Sequence, residues 1–148
     1  MKLTNVTDEY AIYGMLFSLC NRIQTIGDKE FKDITLKQQF LLIGLEMFTE
    51  PPTLKETGEL IGCSYQNVKR MAEQLQKAGY LTIQQDQIDK RKLLLVSTGK
   101  VEKEAEQNRD VTIAFMERLY KGIPQKDLAV TLQTLMQMDL NIGGKIER

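Results

Sequence analysis

The stretch from Thr53 to Ser97 constrains what this chain can fold into more than any other. Thr53 and Glu56 have the spacing of a capping box, in which each side chain satisfies an unpaired backbone donor at a helix start. Leu54, Thr57, Leu60 and Ile61 follow at helical spacing, and Gly62 is suited to the left-handed turn that ends the helix. Ser64 is a good N-cap for a second helix, Tyr65 to Ala78, stopped by Gly79. That helix is amphipathic, with Val68, Met71, Ala72 and Leu75 on one face and Gln66, Lys69, Arg70 and Glu73 on the other.

The period changes after Gly79. Tyr80–Ile83 and Leu93–Val96 read as strands, joined by the polar tip of residues 84–92, which ends in Asp89-Lys90-Arg91-Lys92. Helix, sharp turn, amphipathic helix and basic hairpin together make a winged helix-turn-helix. Its outer face carries what a DNA major groove demands: amides for adenine edges, and Lys and Arg for guanine edges or phosphates. Gln66, Asn67 and Arg70 are the expected base readers, with Tyr65 at the same helix end. Ser64, Lys69 and Thr53 are expected on phosphates. On the wing, Arg91 suits a minor groove and Lys90 and Lys92 suit phosphates, while Asp89 is expected to pair with Arg91 and orient it. The same elements also occur in domains that bind no nucleic acid. A winged-helix module that binds a partner protein is the competing reading.

Charge supports the DNA reading locally. The chain has zero formal net charge, which argues against non-specific coating of nucleic acid. Residues 53–92 hold seven cations against five anions, and residues 1–52 hold five cations against seven anions.

The flanks read as helices. Residues 1–7 are expected to be loose. Asp8 to about Ile26 is expected to be helical, with a stripe of Ile12, Leu16, Leu19, Ile23 and Ile26. Residues 27–33 read as a polar connection. Thr35 and Gln38 then open a helix to about Phe48, apolar on most faces and expected to be central to the core. Gly44 within it suggests close packing, and Pro51-Pro52 breaks the chain. After the wing, one long helix is expected from Thr98 to about Lys121, and a last one from Gln125 to Asn141 before a frayed tail. The terminal helices, in residues 1–33 and 98–148, are expected to join two copies as a homodimer around the module of residues 34–97. A single recognition helix buries little surface, and a two-fold pair matches a pseudo-palindromic site.

Much chemistry is excluded. The chain has no histidine, which removes the commonest general base and metal ligand. Its two cysteines, Cys20 and Cys63, make neither a metal site nor a disulfide framework and fit a reducing cytoplasm. Cys20 is expected to be a buried structural thiol. Cys63 is expected to be a small filler whose oxidation would disturb DNA contact. No phosphate-cradling glycine motif is present, and no run approaches the ~20 apolar residues that span a bilayer. No catalytic residue, metal or cofactor is therefore expected.

Nearly the whole chain resembles the MarR (multiple antibiotic resistance regulator) family. Ile34-Thr35 with Gln39-Phe40-Leu41 is similar to the family's Leu-Thr-x-x-x-Gln segment. Val68-Lys69-Arg70-Met71 through Gly79-Tyr80-Leu81 is similar to its recognition helix and exit, and Asp89-x-Arg91 before Leu93–Ser97 to its wing. Val96-Ser97-Thr98-Gly99 departs from the usual Leu-Thr-x-x-Gly by bringing the glycine one place early. The resemblance implies a homodimeric DNA-binding regulator, usually a repressor, often released by a small ligand or by thiol oxidation. Tyr10, Tyr13 and Phe17 are the aromatic surface on which such an effector would be expected to bind.

Overall fold

The structure is a computed structural model, and it describes residues 5–31 and 33–145. The chain divides into two compact units, residues 1–39 and 40–148, with the boundary inside a helix.

The first unit is built on α1, Asp8–Glu30. It runs past the expected end at Ile26, and Gly27, expected in the polar connection, is a packing residue inside the helix. Gly27 is buried, and a Cβ there would lie 2.8 Å from Leu36 Cδ2. The next residue, Asp28, accepts the Leu36 amide at 2.7 Å. The connection is correspondingly short, and its residue 32 lies outside the described residues. Thr35 and Gln38 form the expected box: Thr35 N–H donates to Gln38 Oε1 at 2.9 Å and Gln38 N–H to Thr35 Oγ1 at 3.3 Å. The α1 stripe is only partly covered among the described residues. Ile12, Leu19 and Ile26 are exposed, and so is Cys20, contrary to its expected burial.

α2, Leu36–Leu45, crosses the boundary. It ends before the expected Phe48 because its last turn tightens: the amides of Glu46, Met47 and Phe48 each reach back three residues, all at 3.2 Å. Leu41, Leu42 and Leu45 are buried, but Phe40 and Ile43 are exposed, so one face of α2 and not most of it enters the core.

The second unit holds the winged module. α3, Leu54–Ile61, and α4, Tyr65–Lys77, are joined by a turn in which Gly62 has φ 66°. Gly58 is what lets this turn close, since a Cβ there would sit 2.7 Å from the carbonyl oxygen of Cys63. Gly44 packs as expected, with Ile61 Cγ2 3.0 Å from where its Cβ would be. The core gathers Leu54, Val68, Ala72, Leu75, Tyr80, Leu81 and Leu95, with Met71 at its edge. Thr57 is fully buried but satisfied, its hydroxyl donating to the Thr53 carbonyl at 2.9 Å.

β1, Leu81–Gln85, and β2, Leu93–Ser97, pair antiparallel with Leu81 opposite Ser97 and Gln85 opposite Leu93. The other edge of β2 is also used. Thr53 bridges Leu94, and Leu95 N–H donates to the Pro52 carbonyl at 2.9 Å. The segment entering the helix-turn-helix is thereby fastened to the wing, a pairing that its two prolines conceal.

The expected single helix after the wing is two, α5, Lys100–Gln107, and α6, Arg109–Tyr120. Asn108 leaves the helical region between them at φ −97°, ψ 6°, as suits a residue that favours turns. α5 has no fully buried residue, so little packing opposes the break. α6 buries Phe115 alone. α7, Gln125–Asn141, has the expected bounds and buries no residue, leaving Leu132, Leu135 and Leu140 exposed. The expected loose start and frayed tail fall largely on residues 1–4 and 146–148, outside the described residues. Among the described residues no helix is long and apolar enough to cross a membrane.

Candidate nucleic-acid interface

Two cap networks order the helix-turn-helix, one of them on the recognition helix α4. At its start, Ser64 Oγ accepts the Asn67 amide at 3.4 Å, which leaves the Ser64 proton for another acceptor. Upstream, Thr53 and Glu56 form the full capping box. Glu56 N–H donates to Thr53 Oγ1 at 3.1 Å, and Glu56 Oε2 accepts both the Thr53 N–H at 2.8 Å and its hydroxyl at 2.7 Å. The single Thr53 hydroxyl proton is thus already given to Glu56, so Thr53 orders α3 and has no donor left for a phosphate, contrary to expectation.

The Thr53 backbone, and then its hydroxyl, hold the Glu56 carboxyl below the usual 4.5. The contribution of the box is therefore fully present above that value and fades as pH falls through the lower folded one. We expect Thr53→Ala to lower stability by about 0.5–2 kcal/mol at neutral pH. The loss should shrink on acidification, measured by urea titration at several pH values.

At its other end α4 is locked to the hairpin and to α5. Gln76 Oε1 accepts the Ile83 amide at 2.6 Å, and Thr98 Oγ1 donates to the Gly79 carbonyl at 2.7 Å. Lys100 Nζ donates to the Ala78 carbonyl at 2.8 Å and lies 4.2 Å from the Tyr80 ring centroid. A cation on the last carbonyls of a helix is favourable there. Gln76 and Lys100 were not singled out from sequence, since each depends on a partner remote in the chain.

Between these anchors, Tyr65, Gln66, Asn67, Lys69 and Arg70 are all exposed, while Val68 is fully buried. Lys69 lies 4.0 Å from Glu73, a loose i,i+4 pair. Arg70 makes no ion pair among the described residues.

The wing tip holds the expected pair. Arg91 Nε donates to Asp89 Oδ1 at 3.0 Å and its Nη2 to Asp89 Oδ2 at 3.2 Å, a two-pronged contact that fixes the guanidinium plane. The Arg91 side chain is nonetheless 91% exposed. Arg91 holds the Asp89 carboxyl below its ordinary value, and the amides of Asp89 and Ile88 do the same for Asp86. Lys90 and Lys92 are exposed beside Arg91.

Tyr10, Tyr13 and Phe17 share one face of α1, and the Tyr13 and Phe17 rings meet edge-on at 5.1 Å. With exposures of 61–75% they form a surface and not an enclosed pocket. Cys63 is half-buried in the α3–α4 turn. Among the described residues no group of His, Cys, Asp and Glu could hold a metal ion.

No protein-family model matches this chain, and no curated protein matches it in sequence. Solved structures match its fold. A MarR protein from Peptoclostridium difficile has a TM-score of 0.74 at 22% identity, over 96% of this chain and 92% of that one. A MarR-family transcriptional regulator from Rhodococcus sp. RHA1 gives 0.76 at 14% identity, over 89% and 94%. BpsR of Bordetella bronchiseptica, whose DNA binding is regulated by 6-hydroxynicotinic acid, gives 0.75 at 16% identity, over 94% and 96%. With seven helices among the described residues and a two-stranded antiparallel hairpin after a helix-turn-helix, the chain has the winged-helix fold of the MarR-family transcriptional regulators.

Proposed function

We propose that the protein is a sequence-specific, DNA-binding transcriptional regulator that acts in the cytoplasm as a homodimer. It represses from a pseudo-palindromic operator, released by a small-molecule effector. It works by binding and not by catalysis. The observation that carries this reading is the pairing of two preorganised elements in one unit: a recognition helix whose exposed face presents amides and cations, and a wing whose Arg91 is held planar by Asp89 yet exposed.

In this reading Gln66, Asn67 and Arg70 read base edges, and Tyr65 packs beside them. Ser64 and Lys69 hold phosphates, Arg91 enters the flanking minor groove, and Lys90 and Lys92 neutralise its phosphate walls. Residues 34–97 are the DNA-binding module, and the helices of residues 1–33 and 98–148 join two copies. That assignment rests on the exposed apolar side chains of α1 and of α7, which a lone chain leaves in water. The two recognition helices would then reach half-sites about 34 Å apart. An effector would take the aromatic face of Tyr10, Tyr13 and Phe17, and it would act by favouring the spacing that does not fit DNA.

Selection from a randomised duplex pool tests the reading. It should recover a two-fold-symmetric motif, whereas recovery of no motif would favour the protein-partner alternative. On the recovered duplex, Arg70→Ala is expected to cost ~1–3 kcal/mol and to relax preference at one position of each half-site. Arg91→Ala is expected to weaken binding to all sequences and to flatten the slope of log affinity on log salt by about 0.9 per protomer. An unchanged slope would take Arg91 off the DNA.

A further inference from the structure

The wing tip carries one residue that the charge reading does not use. Ile88 is 97% exposed, the barest large apolar side chain among the described residues. It stands between Gln87 and Asp89, in the same loop as Lys90, Arg91 and Lys92.

The loop that presents it is internally satisfied. Asp86 Oδ1 accepts the amides of Ile88 at 2.8 Å and Asp89 at 2.7 Å. The Arg91 amide donates to Asp89 Oδ1 at 3.2 Å, the Lys92 amide to the Asp89 carbonyl at 2.8 Å, and the Asp86 amide to the Lys92 carbonyl at 3.1 Å. The tip is therefore held in place before any partner arrives, and Ile88 can be pressed against a surface with little further ordering. A β-branched side chain adds few rotamers to freeze.

We propose that Ile88 is a DNA-contacting residue that packs on the deoxyribose wall of the minor groove beside the point where Arg91 enters. This rests on the DNA-binding reading above and extends it to a residue without charge. Three neighbouring cations bring the tip to a polyanion, and the apolar surface between phosphates in a groove is the sugar. The contact adds affinity without releasing counterions, which separates it from those of Lys90, Arg91 and Lys92.

The test compares wild type, Ile88→Val and Ile88→Ser on a duplex that the wild-type protein recovers from a randomised double-stranded DNA pool. Ile88→Ser is expected to bind about tenfold more weakly, with an unchanged salt slope and an unchanged melting temperature. Ile88→Val is expected to retain most of the affinity. Ile88→Ser binding within about twofold of wild type would overturn the contact, and so would a loss accompanied by a flatter slope, which would mean displaced cations. Wild-type protein that recovers no duplex would overturn the DNA-binding reading itself, and this proposal with it.

Discussion

Leu132→Glu together with Leu135→Glu is expected to convert the proposed dimer to monomers and to lower affinity for the proposed operator by about 10²–10⁴-fold. Both side chains lie on α7, a helix with no buried residue, and they are 42% and 38% exposed in the single chain. Carboxylates there cost the isolated protomer little, because the positions already meet water. In a subunit interface they would have to be desolvated without partners, which is far more costly. Loss of the interface uncouples the two half-sites, so the second contact no longer benefits from the first. Sedimentation should report a monomer, and circular dichroism should report wild-type helix content. A variant that remained a dimer would take α7 out of the interface.

Leu75→Ala is expected to destabilise the winged module by about 2–5 kcal/mol. Leu75 is 1% exposed on the inner face of α4, among the fully buried Leu54, Val68, Leu81 and Leu95. Truncation removes the apolar contacts and leaves a cavity that the locked C-terminal end of α4 keeps from collapsing. At about 2–4 °C per kcal/mol for a chain of this size, the melting temperature should fall by roughly 5–20 °C. A urea midpoint shift at constant m would assign the loss to packing in the native state. A change under about 1 kcal/mol would show that α4 is not seated by this side chain.

These two predictions draw on parts of the molecule that differ in how legible they were. The α4 core positions followed from period alone, because a helix with one buried face must repeat its apolar residues at that spacing. The Thr53–Glu56 and Thr35–Gln38 caps, the Gly62 turn and the bounds of α7 were equally local and were read correctly. The misreadings have a common cause in remote partners or in their absence. The helix was expected to end near Ile26 because nothing in the neighbourhood of Gly27 announces that Leu36 will pack on it. Asn108 sits in a charged stretch with no apolar period to mark a break. Cys20 was expected to be buried, yet it is exposed, because apolar neighbours on a helix do not by themselves show which of them will be covered. Within the candidate site, residue types indicated which side chains could meet DNA, and Asp89 pairs with Arg91 as their spacing suggested. The Thr53 hydroxyl could not be assigned that way. A cap and a phosphate compete for one proton, and only the geometry shows which acceptor holds it.

The most direct measurement of the central claim is the affinity of the wild-type protein for a duplex selected from a random pool, against a scrambled duplex, at two salt concentrations. Wild-type protein is expected to show at least about 10³-fold preference for the selected duplex, and affinity for both that falls steeply as salt rises. Equal, weak binding to the two duplexes would contradict that claim.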